Sequence, residues 1–94
     1  MSVARITTLN LKSKEGADQI AETYKKNAPG EFPEAEQLLE VRVNETTLMF
    51  VSLYADNDAM ERASASRTKR MDLNKDHIES VDGKTGDVIL NHKN

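Results

Sequence analysis

One stretch limits what this chain can fold into more than any other: Gln37 to Ala55, QLLEVRVNETTLMFVSLYA, where apolar, β-branched and aromatic residues dominate. Its first arm alternates, with Leu39, Val41 and Val43 on one face and Glu40 and Arg42 on the other, the period-two pattern of a half-buried strand. Asn44 to Thr47 reverses the chain. The second arm does not alternate: Leu48, Phe50 and Tyr54 fall on one face and Met49, Val51 and Leu53 on the other, so both faces favour leaving water. A central β-hairpin follows. A short chain covers one face of such a sheet with its own helices, so the second apolar face requires a partner subunit or a ligand.

The flanking segments supply the rest of the architecture. Val3 to Lys12 reads as a first strand, in which Thr7, Thr8 and Asn10 add polarity unusual for a buried strand. Ser13 then caps a helix whose Ala17, Ile20, Ala21, Tyr24 and Ala28 recur at three- and four-residue steps, and Pro29-Gly30 is expected to stop it. Glu31 to Glu36 is an acidic connector holding Phe32. After Tyr54, Asp58 with Glu61 three residues on suggests a second cap. The helix that follows is expected in two pieces, because Ser64 to Arg70, SASRTKR, has no large apolar residue, and it should end near Ser80. Asp82 to Gly86 reads as a turn and Asp87 to His92 as a last strand. The order is β-α-β-β-α-β: an α+β, ferredoxin-like fold with a four-stranded antiparallel sheet and two helices on one face.

Length and composition bound the function. Ninety-four residues make one domain, 1–94, with a single modest core that oligomerisation would extend. With 37% hydrophobic and 31% charged residues and no low-complexity tract, the chain reads as a soluble globular protein. No apolar run approaches the roughly 18 residues that span a bilayer, and MSVARITTLNLK does not have the form of a signal peptide, so a cytoplasmic location is expected and no membrane partner. The absence of cysteine removes disulfides, thiolate nucleophiles and sulfur metal sites. The net charge of −3 weighs against a nucleic-acid partner, which calls for a basic face. Asn44-Glu45-Thr46 matches the glycosylation pattern by chance.

Functions common on this topology can be tested by their motifs. A metal chaperone needs a CxxC pair, and there is none. An RNA-recognition sheet needs exposed aromatics flanked by basic residues, whereas the first strand offers Thr7 and Thr8. An acyl-phosphate hydrolase needs a glycine-rich anion loop after the first strand, whereas Lys12-Ser13-Lys14-Glu15-Gly16 has one glycine. Asp56 and Asp58 open as a calcium loop would, but Glu61 stands where that loop needs glycine.

The stretch from Leu11 to Val43 and the segment YADNDAMERA, Tyr54 to Ala63, resemble the dimeric α+β-barrel proteins typified by the antibiotic-biosynthesis monooxygenase family. Members commonly end the third strand in an aromatic, follow it with a polar turn, and open the next helix with a small-apolar pair. Tyr54, Asp56-Asn57-Asp58 and Ala59-Met60 stand at those places. The resemblance implies a homodimer of face-to-face sheets, an organic ligand between sheet and helices, and a cofactor-independent oxygenase as the enzymatic version. Members that degrade haem use a Trp early in the second helix, a nearby His and an Asn on the first strand. Here Ala63 takes the Trp position, His77 lies further along and Asn10 is displaced, so haem degradation is the weaker alternative. No cofactor and no metal is called for; a non-catalytic dimeric binding or regulatory module is the other reading.

Candidate residues follow. Thr8, Asn10, Phe50, Tyr54 and His77 are expected to line the ligand pocket, and Leu48, Met49, Phe50, Val51 and Leu53 to meet the second copy. His77, beside the apolar stripe of the second helix, is the weak candidate for a general base or an axial ligand, against a plainer surface or helix-terminal role. His92, near the end of the chain, is read as solvated. Asp72 and Asp76, one turn apart beside His77, supply half a metal site and no recognisable remainder. Tyr54 can pack its ring while its hydroxyl enters a pocket. Arg62, Arg67, Lys69 and Arg70 form the most basic patch, read as a solvated helix face because Glu61 and Asp72 intervene. Met49, Met60 and Met71 read as core fillers.

Overall fold

A computed structural model describes all residues 1–94. Four strands, β1 (Val3–Leu11), β2 (Ala35–Asn44), β3 (Thr47–Tyr54) and β4 (Ile78–Asp87), form one antiparallel sheet in the order β2-β3-β1-β4. Helix α1 (Lys14–Glu31) connects β1 to β2, while α2 (Asn57–Arg62), α3 (Ser64–Asn74) and a 3-10 turn (Lys75–His77) connect β3 to β4. This is the β-α-β-β-α-β, ferredoxin-like order expected from the sequence, with the helices on one face of the sheet.

Register fixes the two faces. Thr7 stands opposite Phe50 and Leu9 opposite Leu48, so Val3, Thr7, Leu9, Leu11, Leu48, Phe50 and Tyr54 all point toward the helices and are buried there. They meet Ala17, Ile20, Tyr24 and Ala28 of α1, together with Phe32, Ala59 and Ala63, in a single core. On the opposite face Val51 lies between Leu39 and Ile6, and Met49 between Val41 and Thr8. No helix covers that side. Ile6, Leu39, Val41 and Val43 are between 41% and 54% exposed, a contiguous apolar surface over β2, β3 and β1. The alternation in β2 is as read, and its apolar set belongs to this bare face, which leaves Glu40 and Arg42 on the helix side.

Four local expectations differ from what forms. The Ser13 cap is present, accepting from the Gly16 N–H at 3.0 Å, but α1 runs through Pro29-Gly30 to Glu31. Pro29 is exposed, so water can satisfy the carbonyl its missing N–H leaves free, and the buried Phe32 closes the last turn onto the Ala28 carbonyl at 2.9 Å. Asp56, not Asp58, caps α2, accepting from the Ala59 N–H at 2.8 Å. The SASRTKR segment is regular helix and the break falls at Ala63. The long stems of Arg67 and Arg70, lying against the sheet, supply the apolar cover that large hydrophobic residues would otherwise give.

The fourth difference is the last strand. The helical region ends at His77 rather than near Ser80, and β4 occupies Ile78–Asp87, so Asp82 to Gly86 is paired strand; Val88 to His92 lies beyond it. No residue has a positive φ, so Gly83 and Gly86 are in extended backbone and make no turn. β4 is an edge strand held by its backbone ladder to β1, which requires no apolar side chains, and its charged residues suit an exposed edge. Gly83 has a packing role: a Cβ there would stand 3.2 Å from a guanidinium nitrogen of Arg67.

Candidate functional site

The helix face of the sheet is not filled completely. Between β1, β3, α1 and α3 lies a partly open cavity of about 50 Å³, room for a few waters or one end of a small molecule. Its floor is built by the period-two faces of two strands: Arg5, Thr7 and Leu9 from β1, and Phe50, Ser52 and Tyr54 from β3. Its roof comes from Ile20 and Tyr24 of α1 and from Arg67, Arg70, Met71 and Asn74 of α3. The α3 residues stand at i, i+3, i+4 and i+7, one face of a helix.

Aromatic packing shapes one wall. The Tyr24 ring meets Phe50 edge-on, with centroids 4.6 Å apart and planes at 60°, and lies 6.4 Å from Phe32. Burial pushes the Tyr24 phenol above its ordinary pKa, against the opposing pull of the neighbouring Ser52 hydroxyl. Arg70 reaches across this wall from α3. Its guanidinium carbon lies 5.7 Å from the Tyr24 ring centroid, its Nε donates to Glu31 Oε1 at 2.8 Å, and a terminal nitrogen donates to the same oxygen. The side chain is only 9% exposed, and this pair ties the end of α1 to α3.

Two more arginines line the cavity, Arg5 from the floor and Arg67 from the roof. Arg67 is held below its ordinary pKa, first by burial and then by the positive charge of Arg5. Arg5 Nη1 is buried without a hydrogen-bond partner. No aspartate or glutamate lines the cavity.

One carboxyl near the site has no counterpart. Glu40, on the helix side of β2, has a buried oxygen, Oε2, with no hydrogen-bond partner, and burial pushes its pKa from the ordinary 4.5 up to about 7, against the pull of Lys25. The folded state therefore favours the protonated acid. The stability this provides is complete below about pH 4.5 and is lost as pH rises through about 7. Because the group is partly exposed, screening limits the effect to about 1 kcal/mol. Glu40→Gln should be more stable than the parent by about that amount above pH 7 and should flatten the pH dependence of urea unfolding between pH 5 and pH 8. An unchanged slope with pH in the variant would contradict this assignment.

The residues singled out in the sequence are distributed as follows. Phe50 and Tyr54 line the cavity. Thr8 and Asn10 stand on the bare face, where Asn10 accepts from the Thr47 hydroxyl and donates to Ser80, both at 3.0 Å. His77 ends the helical region outside the cavity, against the start of α1: a Cβ on Gly16 would stand 3.1 Å from its Nδ1, and its carbonyl accepts from the Lys12 N–H at 2.9 Å. Of the five expected at the subunit contact, Met49, Val51 and Leu53 are on the bare face, whereas Leu48 and Phe50 pack under the chain's own helices. His92 follows the last strand in an exposed tail. No group of three His, Asp or Glu side chains converges as metal ligands.

Arg5, Thr7, Tyr24, Ser52, Arg67 and Arg70 also line the cavity. The signals for them were available. Ser52 shares the period-two face of Phe50 and Tyr54, register with that face selects Thr7 rather than Thr8, and Arg67 and Arg70 share the helical face of Met71. Two members of the basic patch are thus turned inward rather than solvated.

No protein-family model matches the sequence, and no curated protein matches it. Solved structures do. A dimeric ferredoxin-like protein from an uncultured marine organism superposes with a TM-score of 0.80 at 9% identity, covering 99% of this chain and 92% of the other. A protein of unknown function from Nitrosomonas europaea gives 0.83 at 10% identity, over 99% and 94%. An antibiotic biosynthesis monooxygenase gives 0.76 at 15% identity, over 94% and 99%. No helix of the chain is long and apolar enough to cross a membrane. At these identities the likenesses establish the fold: the chain has an α+β, ferredoxin-like fold, shared with solved structures of a dimeric ferredoxin-like protein and of an antibiotic biosynthesis monooxygenase.

Proposed function

We propose that the protein is a homodimer whose two sheets pack bare face to bare face, and that each subunit binds a small organic ligand in the cavity between its sheet and its helices. The observation that carries this reading is the division of β3: Phe50 and Tyr54 point into a partly open cavity, while Met49, Val51 and Leu53 on the same strand point to an apolar surface that no helix covers. The first face gives room for a ligand, and the second gives a reason to associate. One of the similar structures is named as a dimeric ferredoxin-like protein and another as a monooxygenase, which supports assembly and oxygen chemistry as properties of this architecture.

The cavity wall has no histidine and no carboxylate, so no general base of the usual kind is in place beside a bound molecule. Binding is therefore the primary activity of the reading. Oxidation without a cofactor is its enzymatic version, in which the ligand supplies its own reactivity. Titration with indole, followed by amide chemical shifts, is the test. Shifts centred on Tyr24, Phe50 and Tyr54 are expected. Shifts confined to the bare face, or none up to the solubility limit, would overturn the ligand site.

A further inference from the structure

The cavity is asymmetric in charge. Its aromatic wall is closed by Arg70, whose guanidinium is already engaged with Glu31 and the Tyr24 ring. The lining also includes Arg5 of β1 and Arg67 of α3, which form no ion pair with any acidic side chain. Arg5 has a buried nitrogen donating to nothing, and the glycine at position 83 leaves space for the Arg67 guanidinium against the edge strand. Two cations close enough to disfavour one another, set in a wall with no carboxylate, are costly in a chain whose net charge is −3. An anion between them would satisfy the free donors and cancel the repulsion. A guanidinium fork matches the two oxygens of a carboxylate. Beyond the arginines, Leu9, Ile20 and Phe50 give the lining an apolar stretch beside the polar side chains of Thr7, Ser52 and Asn74, and that stretch suits an apolar body.

We propose that the ligand of this cavity is a small aromatic or apolar acid, its carboxylate held between Arg5 and Arg67 and its body against Phe50 and Tyr24. This rests on the reading of the cavity as a ligand site and adds the chemical class that the site selects. Arg5 and Arg67 are binding residues in it, and Arg70 is a positioning residue that holds Tyr24.

The test compares benzoate with benzamide, which has the same ring and nearly the same shape without the charge, by NMR titration of the full chain at pH 7, following the Nε–Hε signals of the arginines. Benzoate is expected to bind at least tenfold more tightly than benzamide and to shift the Arg5 and Arg67 signals. Arg67→Gln should remove the preference for benzoate, lowering its affinity at least tenfold relative to the parent; Arg5→Gln serves as the second variant should the first not fold. Equal affinities for the two probes would overturn the acid assignment while leaving the cavity as a ligand site. Inorganic phosphate binding as tightly as benzoate would overturn the requirement for an apolar body. Absence of binding by both aromatic probes would overturn the ligand-site reading itself, and this inference with it.

Discussion

Leu48→Ala is expected to cost about 3 kcal/mol of unfolding free energy, a loss of roughly 15 °C in melting temperature for a domain of this size. Leu48 is fully buried, at the centre of the helix face of β3, opposite Leu9 on one side and Arg42 on the other. Removing its branched end costs both the transfer of that apolar volume and the void it leaves, because the surrounding strands are fixed by backbone hydrogen bonds and collapse only in part. Val51→Ala, on the same strand, makes the contrast. In a monomer its side chain is half-buried on the bare face and its truncation should cost much less. The measurement is urea denaturation by circular dichroism at one fixed protein concentration, since association makes apparent stability depend on concentration. A loss below about 1 kcal/mol for Leu48→Ala would mean that the helix face is not the packed core described here.

Val51→Lys is expected to give a folded monomer. Val51 lies between Leu39 and Ile6, in the middle of the apolar surface of β2, β3 and β1. In a two-fold assembly of these faces, each complex carries the substitution twice, and each lysine would be desolvated without a partner. Dissociation should strengthen by at least about a hundredfold, while the far-ultraviolet spectrum of the subunit is unchanged because the helix face is untouched. Phe50→Lys, one residue away, should behave oppositely. Its side chain enters the core beside Tyr24, so the variant should unfold rather than merely dissociate. Size-exclusion chromatography with circular dichroism on the pair distinguishes the faces. Two folded variants of equal size would contradict the division of β3.

Much of this arrangement could be read from the chain itself. The hairpin was legible because QLLEVRV alternates and TLMFVSLY does not, and both patterns come from the sheet's own geometry. Helix α1 was legible from Ser13 and the spacing of Ile20, Tyr24 and Ala28. β4 was not, because an edge strand is stabilised by its ladder to β1, and DGKTG carries turn-forming residues that pairing overrides. The apolar run Val88 to Leu90 drew the strand assignment toward the tail, where Ile89 is 96% exposed.

The site was half legible for a similar reason. Phe50 and Tyr54 announce themselves by type and by spacing. Thr8 lies one residue out of phase with the cavity face that Thr7 shares with Phe50, since in a strand a shift of one residue exchanges the faces. Arg67 and Arg70 were hidden because charged residues on a helix usually meet water, and only the third dimension shows α3 turned so that its arginines lie over the sheet. The same holds for His77, which stands next to Ile78 in sequence but whose place is against the N-terminus of α1 rather than in the cavity.

The central claim is that the bare face of the sheet belongs to a second copy of the chain. An isotope-filtered nuclear Overhauser experiment on an equal mixture of labelled and unlabelled protein tests it at the residues concerned. The predicted result is a set of intermolecular cross-peaks joining the methyl groups of Ile6, Val41, Met49 and Val51. Cross-peaks arising only from helix residues, or none in a protein that sediments as a monomer, would contradict it.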